Sequence, residues 1–203
     1  MTQEKENILL GAQKIFLREG FYKTPMDDIA AYLKISKKTI YKHFSSKDEI
    51  VRESLIRYIS ENHKHISAIV SSDNNAVEKL FSMFRFVSSI LICISEQFVM
   101  DIRNYMPDLW TEIDKIRAKI LFENLKIIIE QGQREEVIIE TRSEILISAF
   151  IASIRGVINP DVLISNKMSP VKAAESVIEI LLNGILTAKG RKIFVKLKSG
   201  AGK

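Results

Sequence analysis

The four prolines of this chain stand at Pro25, Pro107, Pro160 and Pro170, and each suits a boundary better than a helix interior. Between them apolar residues recur three and four apart, with no strand alternation and no internal repeat. Together these features restrict the chain to helices separated by short breaks, an all-α protein. Ile8, Leu9, Ala12, Ile15, Phe16 and Phe21 fall at helical spacing, and Gly20 ends that first helix. Thr24-Pro25-Met26-Asp27 opens the second, with Thr24 as cap, Pro25 at the first helical position and Asp27 as acceptor. Its inward face is Ile29, Ala30 and Leu33. After the tight turn Lys34-Ile35, Ser36 caps a third helix that Ile40 and Phe44 anchor. Ser46, with Glu49 three residues on, begins a long helix that runs to about residue 71.

The third helix is short, and around its two anchors it carries Lys37, Lys38, Thr39, Tyr41, Lys42 and His43, all hydrogen-bond donors. Two short helices joined by a tight turn make a helix-turn-helix, whose second helix enters the DNA major groove. Lys47 lies in the first turn of the next helix, where a cation opposes the helix dipole; contact with a phosphate would compensate. The competing reading is a solvated, charged helix on an ordinary bundle. Charge distribution bears on the choice. Through Lys47 there are nine Lys/Arg against five Asp/Glu, from Asp48 to Glu179 fifteen against twenty, and from Ile180 onward six against none. The formal charge of +5 therefore resides at the two ends. A basic first unit suits phosphate, while the basic tail, 189–203, reads as a solvated end. One cysteine, Cys93, excludes an intramolecular disulfide framework and fits a reducing compartment. The start carries charges of both signs and no signal-peptide pattern. The most apolar stretch, Val87 to Ile94, is too short to span a bilayer. The expectation is a cytoplasmic protein with no membrane partner.

The segment TPMDDIAAYLKISKKTIYKHFSSKDEIV, Thr24 to Val51, resembles the DNA-binding domain of the tetracycline-repressor (TetR/AcrR) family. AQKIFLREGFYKTPMDDIA is similar to that family's leading helices, and YKHFSSKDE to its recognition helix and the start of the fourth. The resemblance is confined to about the first fifty residues. It implies a homodimeric transcription regulator, usually a repressor, with a three-helix helix-turn-helix domain over 1–48 and a helical ligand-binding and dimerisation domain over 74–188. It implies a double-stranded DNA operator and a small-molecule effector as partners, and no cofactor. It also places Thr24, Ser36, Tyr41, His43 and Lys47 at phosphate-contacting positions, and Lys37, Lys38, Thr39 and Lys42 at positions that reach base edges. The chemistry agrees: hydroxyls and ammonium groups suit phosphates, and Lys can donate to guanine O6 or N7. Many relatives carry Gly where this chain has Lys38, so a long side chain there adds a contact in place of close approach.

The remainder reads as a second helical domain. Asn75 with Glu78 caps one helix, Pro107 opens another that runs to about Gly132, Thr141 with Glu144 caps a third, and Ser169-Pro170 starts the last. The connection Asn159 to Met168 reads as a loop. Phe81, Phe84, Phe98, Tyr105 and Trp110, with Met100 and Met106, straddle the Pro-broken segment. At helical spacing such residues are ordinary core, yet broken segments leave gaps in which pockets form. The resemblance assigns the effector there, apolar or amphipathic in kind. Arg85, Glu96, Asp101 and Arg103 are then polar contacts or simply solvated charges. In the last two long helices Ala149, Ala152, Ser153 and Gly156, and Ala174, Ile178, Leu181 and Ile185, form small and apolar faces wider than one neighbour covers. A symmetric four-helix dimer interface accounts for them, and intrachain packing is the alternative.

Other chemistry has little support. His63 and His65 are two apart and point away from each other on a helix, so they are poor joint metal ligands. Cys93, in an apolar run, reads as a small core residue. Neither a phosphate-binding glycine loop nor a nucleophile elbow is present. A helical enzyme or a scaffold that does not bind DNA remains the alternative function.

Overall fold

The computed structural model describes residues 2–200. Its elements are α1 (Gln3–Glu19), α2 (Met26–Leu33), α3 (Lys37–His43), α4 (Lys47–Val70), α5 (Ala76–Ile92), α6 (Glu96–Tyr105), α7 (Pro107–Arg134), α8 (Ser143–Val157), α9 (Pro160–Ser165), α10 (Pro170–Ile185) and α11 (Ala188–Gly200). Among the described residues the sole extended pairing is an isolated bridge between Ile138 and Leu186. Among the described residues no helix is long and apolar enough to cross a membrane.

The chain forms two compact units. The first takes the stretch through Asn62 together with Cys93–Lys115, and the second takes His63–Ile92 and the chain from Ile116 on. Helices α4 and α7 contribute a part to each. In the first unit α1, α2, α3 and the start of α4 close on Phe16, Phe21, Ile29, Ile40, Phe44 and Ile50, with Phe98, Ile102, Leu109 and Ile113 from later in the chain. The segment 93–115, which sequence spacing assigns to the second domain, thus packs with the N-terminal helices. Phe21 is edge-on to both Phe16 and Phe98, and the Ser95 amide donates to the Leu17 carbonyl at 2.8 Å.

The second unit is built around Leu80, Met83, Phe84, Leu125, Ile128, Ile129, Ile147, Phe150 and Leu182. Its α5 begins with the reciprocal cap its sequence announces: Asn75 Oδ1 accepts from the Glu78 amide and Glu78 accepts from the Asn75 amide, both at 3.1 Å. Elsewhere local signals mislead. The cap of α8 is Arg142, with no side-chain bond, not Thr141. The stretch expected as a loop from 159 to 168 contains α9. The basic tail, expected to be solvated, forms α11 through Gly200 and buries Phe194 in the core; residues 201–203 of it lie outside the described residues. Phe194 supplies the reason, for its ring meets Phe81 edge-on at 6.1 Å and sits among apolar neighbours.

Candidate functional site

Helix α3 is seven residues long, so its own hydrogen bonds stabilise it little. Ser36 caps it by accepting from the Thr39 amide at 3.0 Å, while Ile40 and Phe44 are buried. The turn before it closes with paired bonds, Lys34 N–H to Ala31 O and Ile35 N–H to Ala30 O, around Lys34 in the left-handed region at φ 55°. With two anchors inside, Ser36, Lys37, Lys38, Tyr41 and Lys42 are left exposed and Thr39 half-buried. Lys37 pairs with Asp27 of α2 at 3.0 Å. Lys38 has no ionic partner among the described residues. The result is a short, rigidly seated helix whose outer face is almost entirely donors, suited to phosphate and to base edges alike.

Two expected phosphate contacts are occupied inside the protein. Thr24 is only 6% exposed, and its hydroxyl donates to the Gly20 carbonyl at 2.8 Å. It does not cap α2, whose N-cap is Pro25 with no side-chain bond. Lys47 Nζ donates to the carbonyls of Phe21, Tyr22 and Thr24 at 3.0, 3.0 and 3.2 Å. That contact offsets its unfavourable position at the start of α4, so a phosphate would have to displace carbonyls. The amides of the same turn face a different partner. Gly20, at φ +84°, bends the chain so that the N–H groups of Phe21 and Tyr22 converge on one oxygen of Asp101, each at 2.8 Å. Asp101 lies on α6, is 2% exposed, and also accepts from Gln97 at 2.6 Å. A Cβ on Gly20 would come within 2.6 Å of that carboxylate. The turn entering the helix-turn-helix is therefore clamped by its carbonyls to α4 and by its amides to α6. Tyr22 stacks on Tyr105 just beyond, at 3.6 Å between ring centres. Desolvation in this stack, with Tyr22 close by, raises the Tyr105 phenol above its ordinary value.

His43, another expected phosphate contact, is held by Glu4 of α1 at 2.6 Å, and Lys42 lies 4.0 Å from the same carboxylate. The hydrogen bond from His43 holds the Glu4 carboxyl below the usual carboxylate range. Glu4 thus stands at the end of α3 as an internal anion. Sequence reading misses it because 39 residues separate the partners. At the start of α4, Glu49 accepts from both the amide and the hydroxyl of Ser45, at 2.6 and 2.7 Å, which lowers its pKa as well.

The aromatic group expected to line one pocket is divided. Phe98 belongs to the core of the first unit, Trp110 packs partly buried against that core, and Tyr105 belongs to its stack with Tyr22. The Ser95 amide ties the start of α6 to α1, and Asp101 ties α6 to the turn that follows α1. Phe81 and Phe84 do line a cavity of about 520 Å³ in the second unit, walled by α5, α10 and α11. Of the residues expected at a dimer interface, Ala149, Ala152 and Gly156 are exposed on α8 and Ser153 is half-buried. On α10 Ala174, Ile178 and Ile185 are buried in the chain's own core and Leu181 packs partly against it. The outward face of α10 is instead Ser176, Ile180 and Gly184, with Ile180 70% exposed, and α8 adds Ile145 at 59%. Among the described residues no cluster of His, Cys, Asp and Glu has the form of a metal site.

Comparison with known proteins agrees with this layout. The family profile described as bacterial regulatory proteins, tetR family, matches residues 8–54, the span from α1 into α4. The HTH-type transcriptional regulator YvaF of Bacillus subtilis is 24% identical over 181 residues, covering 89% of this chain and 94% of YvaF. IcaR of Staphylococcus epidermidis, the negative transcriptional regulator of the icaADBC biofilm operon, is 28% identical over 94 residues; the match covers 42% of this chain and 46% of IcaR. A transcriptional regulator from Saccharomonospora viridis, solved in complex with choline, shares the fold at TM-score 0.74 and 20% identity, covering 92% of this chain and all of that one.

Proposed function

We propose that this chain, which belongs to the TetR family of transcriptional regulators, binds a palindromic operator as a homodimer and represses transcription until a small apolar or amphipathic effector lowers its DNA affinity. The observation that carries the DNA-binding part is α3, a helix held by two buried anchors with a donor-rich outer face. Lys37, Lys38, Thr39 and Lys42 are its base-reading residues, and Ser36, Tyr41 and His43 contact phosphate, His43 after leaving Glu4. Thr24 and Lys47 act mainly by holding the turn, with Lys47 able to exchange a carbonyl for a phosphate. The exposed stripes of α8 and α10, with small residues beside Ile145 and Ile180, support a self-complementary four-helix contact. Such a dimer would set its recognition helices about 34–36 Å apart, one turn of duplex.

The effector belongs to the second unit, whose cavity is within the roughly 300–1,000 Å³ typical of small-molecule sites. The choline complex of the Saccharomonospora viridis relative is a precedent for a small ligand on this fold. Coupling of about 1–3 kcal/mol suffices to change operator affinity by roughly 5–150-fold. The matched relatives are transcriptional regulators, and the cytoplasm, where the chromosome lies, is the compartment such a function requires. Selection of bound duplexes from a random DNA pool tests the proposal. Two half-sites in inverted repeat are expected; enrichment of no sequence, or of a lone half-site, would refute operator binding by a dimer.

A further inference from the structure

The cavity of the second unit has a charge arrangement that selects among amphiphiles. Its apolar surface includes Phe81 and Phe84 of α5 and Phe194 of α11. Four charged side chains line it as well. Two neutralise each other, Lys198 of α11 and Glu179 of α10 at 2.7 Å. The others are Arg85 on α5 and Glu175 on α10, so the two facing helices carry opposite charges. Neither joins an ion pair among the described residues, and the Arg85 guanidinium lies over the Phe81 ring, 5.7 Å from its centre. An unneutralised cation and an unneutralised anion therefore border one apolar space without meeting. A singly charged amphiphile would satisfy one of them and bring a like charge toward the other. A ligand bearing both charges on an apolar body satisfies both.

We propose that this cavity binds a zwitterionic amphiphile, its anionic group at Arg85, its cationic group at Glu175 and its apolar body against Phe81, Phe84 and Phe194. The proposal gives a ligand class to the effector site, and it rests on the regulatory reading above only for the consequence on DNA. Three probes of equal chain length separate the charge requirements: dodecyl dimethylglycine, dodecanoate and dodecyltrimethylammonium. Each is titrated calorimetrically into the full-length protein below its critical micelle concentration, with circular dichroism recorded to show that the fold persists. The zwitterion is expected to bind about five- to tenfold tighter than either singly charged probe. Arg85→Gln should remove its advantage over dodecyltrimethylammonium, and Glu175→Gln its advantage over dodecanoate. Both side chains are exposed, so neither substitution opens a hole in the core. Equal binding of all three probes, absence of binding, or a zwitterion preference that survives both substitutions would overturn the proposal. Operator release is then measured separately with the zwitterion. Binding with the predicted substitution pattern but without release leaves the site standing and removes its regulatory role.

Discussion

Lys38 and Lys42 start from different ground states, and that difference makes their substitutions informative. Lys38 has no ionic partner among the described residues, whereas Lys42 lies 4.0 Å from Glu4. If each reads a base, Lys38→Ala and Lys42→Ala should each cost about 1–3 kcal/mol of operator binding and relax the consensus at one position; binding-site selection with each variant checks this. Glu4 acts in the opposite sense. Glu4→Gln should strengthen binding to all duplexes alike, about two- to fivefold, because a competing anion at the end of α3 is gone. Titration against operator and random duplex provides the test, and a selective gain for operator would contradict it. The same carboxyl has a pH signature. Its folded pKa is depressed, chiefly by the His43 hydrogen bond, so the unfolded chain binds the proton more readily. Its contribution to stability is complete above the ordinary carboxylate pKa and lost as pH falls through the lowered one. Glu4→Gln should therefore flatten the acid limb of stability against pH and leave the neutral region unaltered in slope, as followed by urea unfolding. At this scale the sequence reveals the donors of α3, because a cap and two anchors eight residues apart at most are local signals. It does not reveal which donors are already taken. Thr24 and Lys47 look like phosphate ligands in sequence and prove to be bonded to the turn. Lys47→Ala should lower the thermal midpoint more than Lys42→Ala does, since three carbonyls of the turn each lose a hydrogen bond from the ammonium group.

Among the elements, α6 departs furthest from what the sequence announces. Its residues read as part of the second domain because Pro107 and the flanking apolar runs are local features, while its attachment to α1 depends on a contact 80 residues apart in sequence. Asp101 is the key to that attachment. Asp101→Ala should strip two inward amides of their acceptor and cost about 1–3 kcal/mol of stability. Asp101→Asn can present its one carbonyl oxygen to both amides and turn its NH2 toward Gln97, so it should recover most of that loss. Hydrogen exchange at Phe21 and Tyr22 is the direct measurement: fast exchange in the Ala variant and slow in the Asn variant. Equal exchange in both would show that the carboxylate does not hold the turn. The cap of α5 was legible down to its reciprocal bonds, whereas α9 and α11 were not. A helix of six residues has too little periodicity to register, and the basic charge of α11 obscures the few apolar residues that seat it.

For the whole molecule, assembly and folding depend on which faces are turned outward. Apolar width on α10 pointed to a dimer, but periodicity cannot say which edge of a wide stripe the chain keeps for itself. Ala174, Ile178 and Ile185 lie on the inner edge of the stripe, and Ile180 lies on the outer edge. The variants separate accordingly. Ile180→Arg and Ala152→Arg should yield folded monomers by light scattering with unchanged helical content, because each places a charge twice in a symmetric contact. Ile178→Arg should instead unfold the second unit, since its side chain is already buried within one chain. A wild-type monomer at micromolar concentration would contradict the homodimer. The composition of the first unit has a consequence for how the protein is made. Its core takes Phe98, Ile102, Leu109 and Ile113 from beyond α5, so the segment through Asn62 leaves the ribosome before its last partners have been translated. At about 5–20 residues per second, it waits roughly 3–10 s for Cys93–Lys115. During that interval the apolar flank of α1 lacks its cover, and nascent chains of that length are the ones a chaperone would be expected to hold.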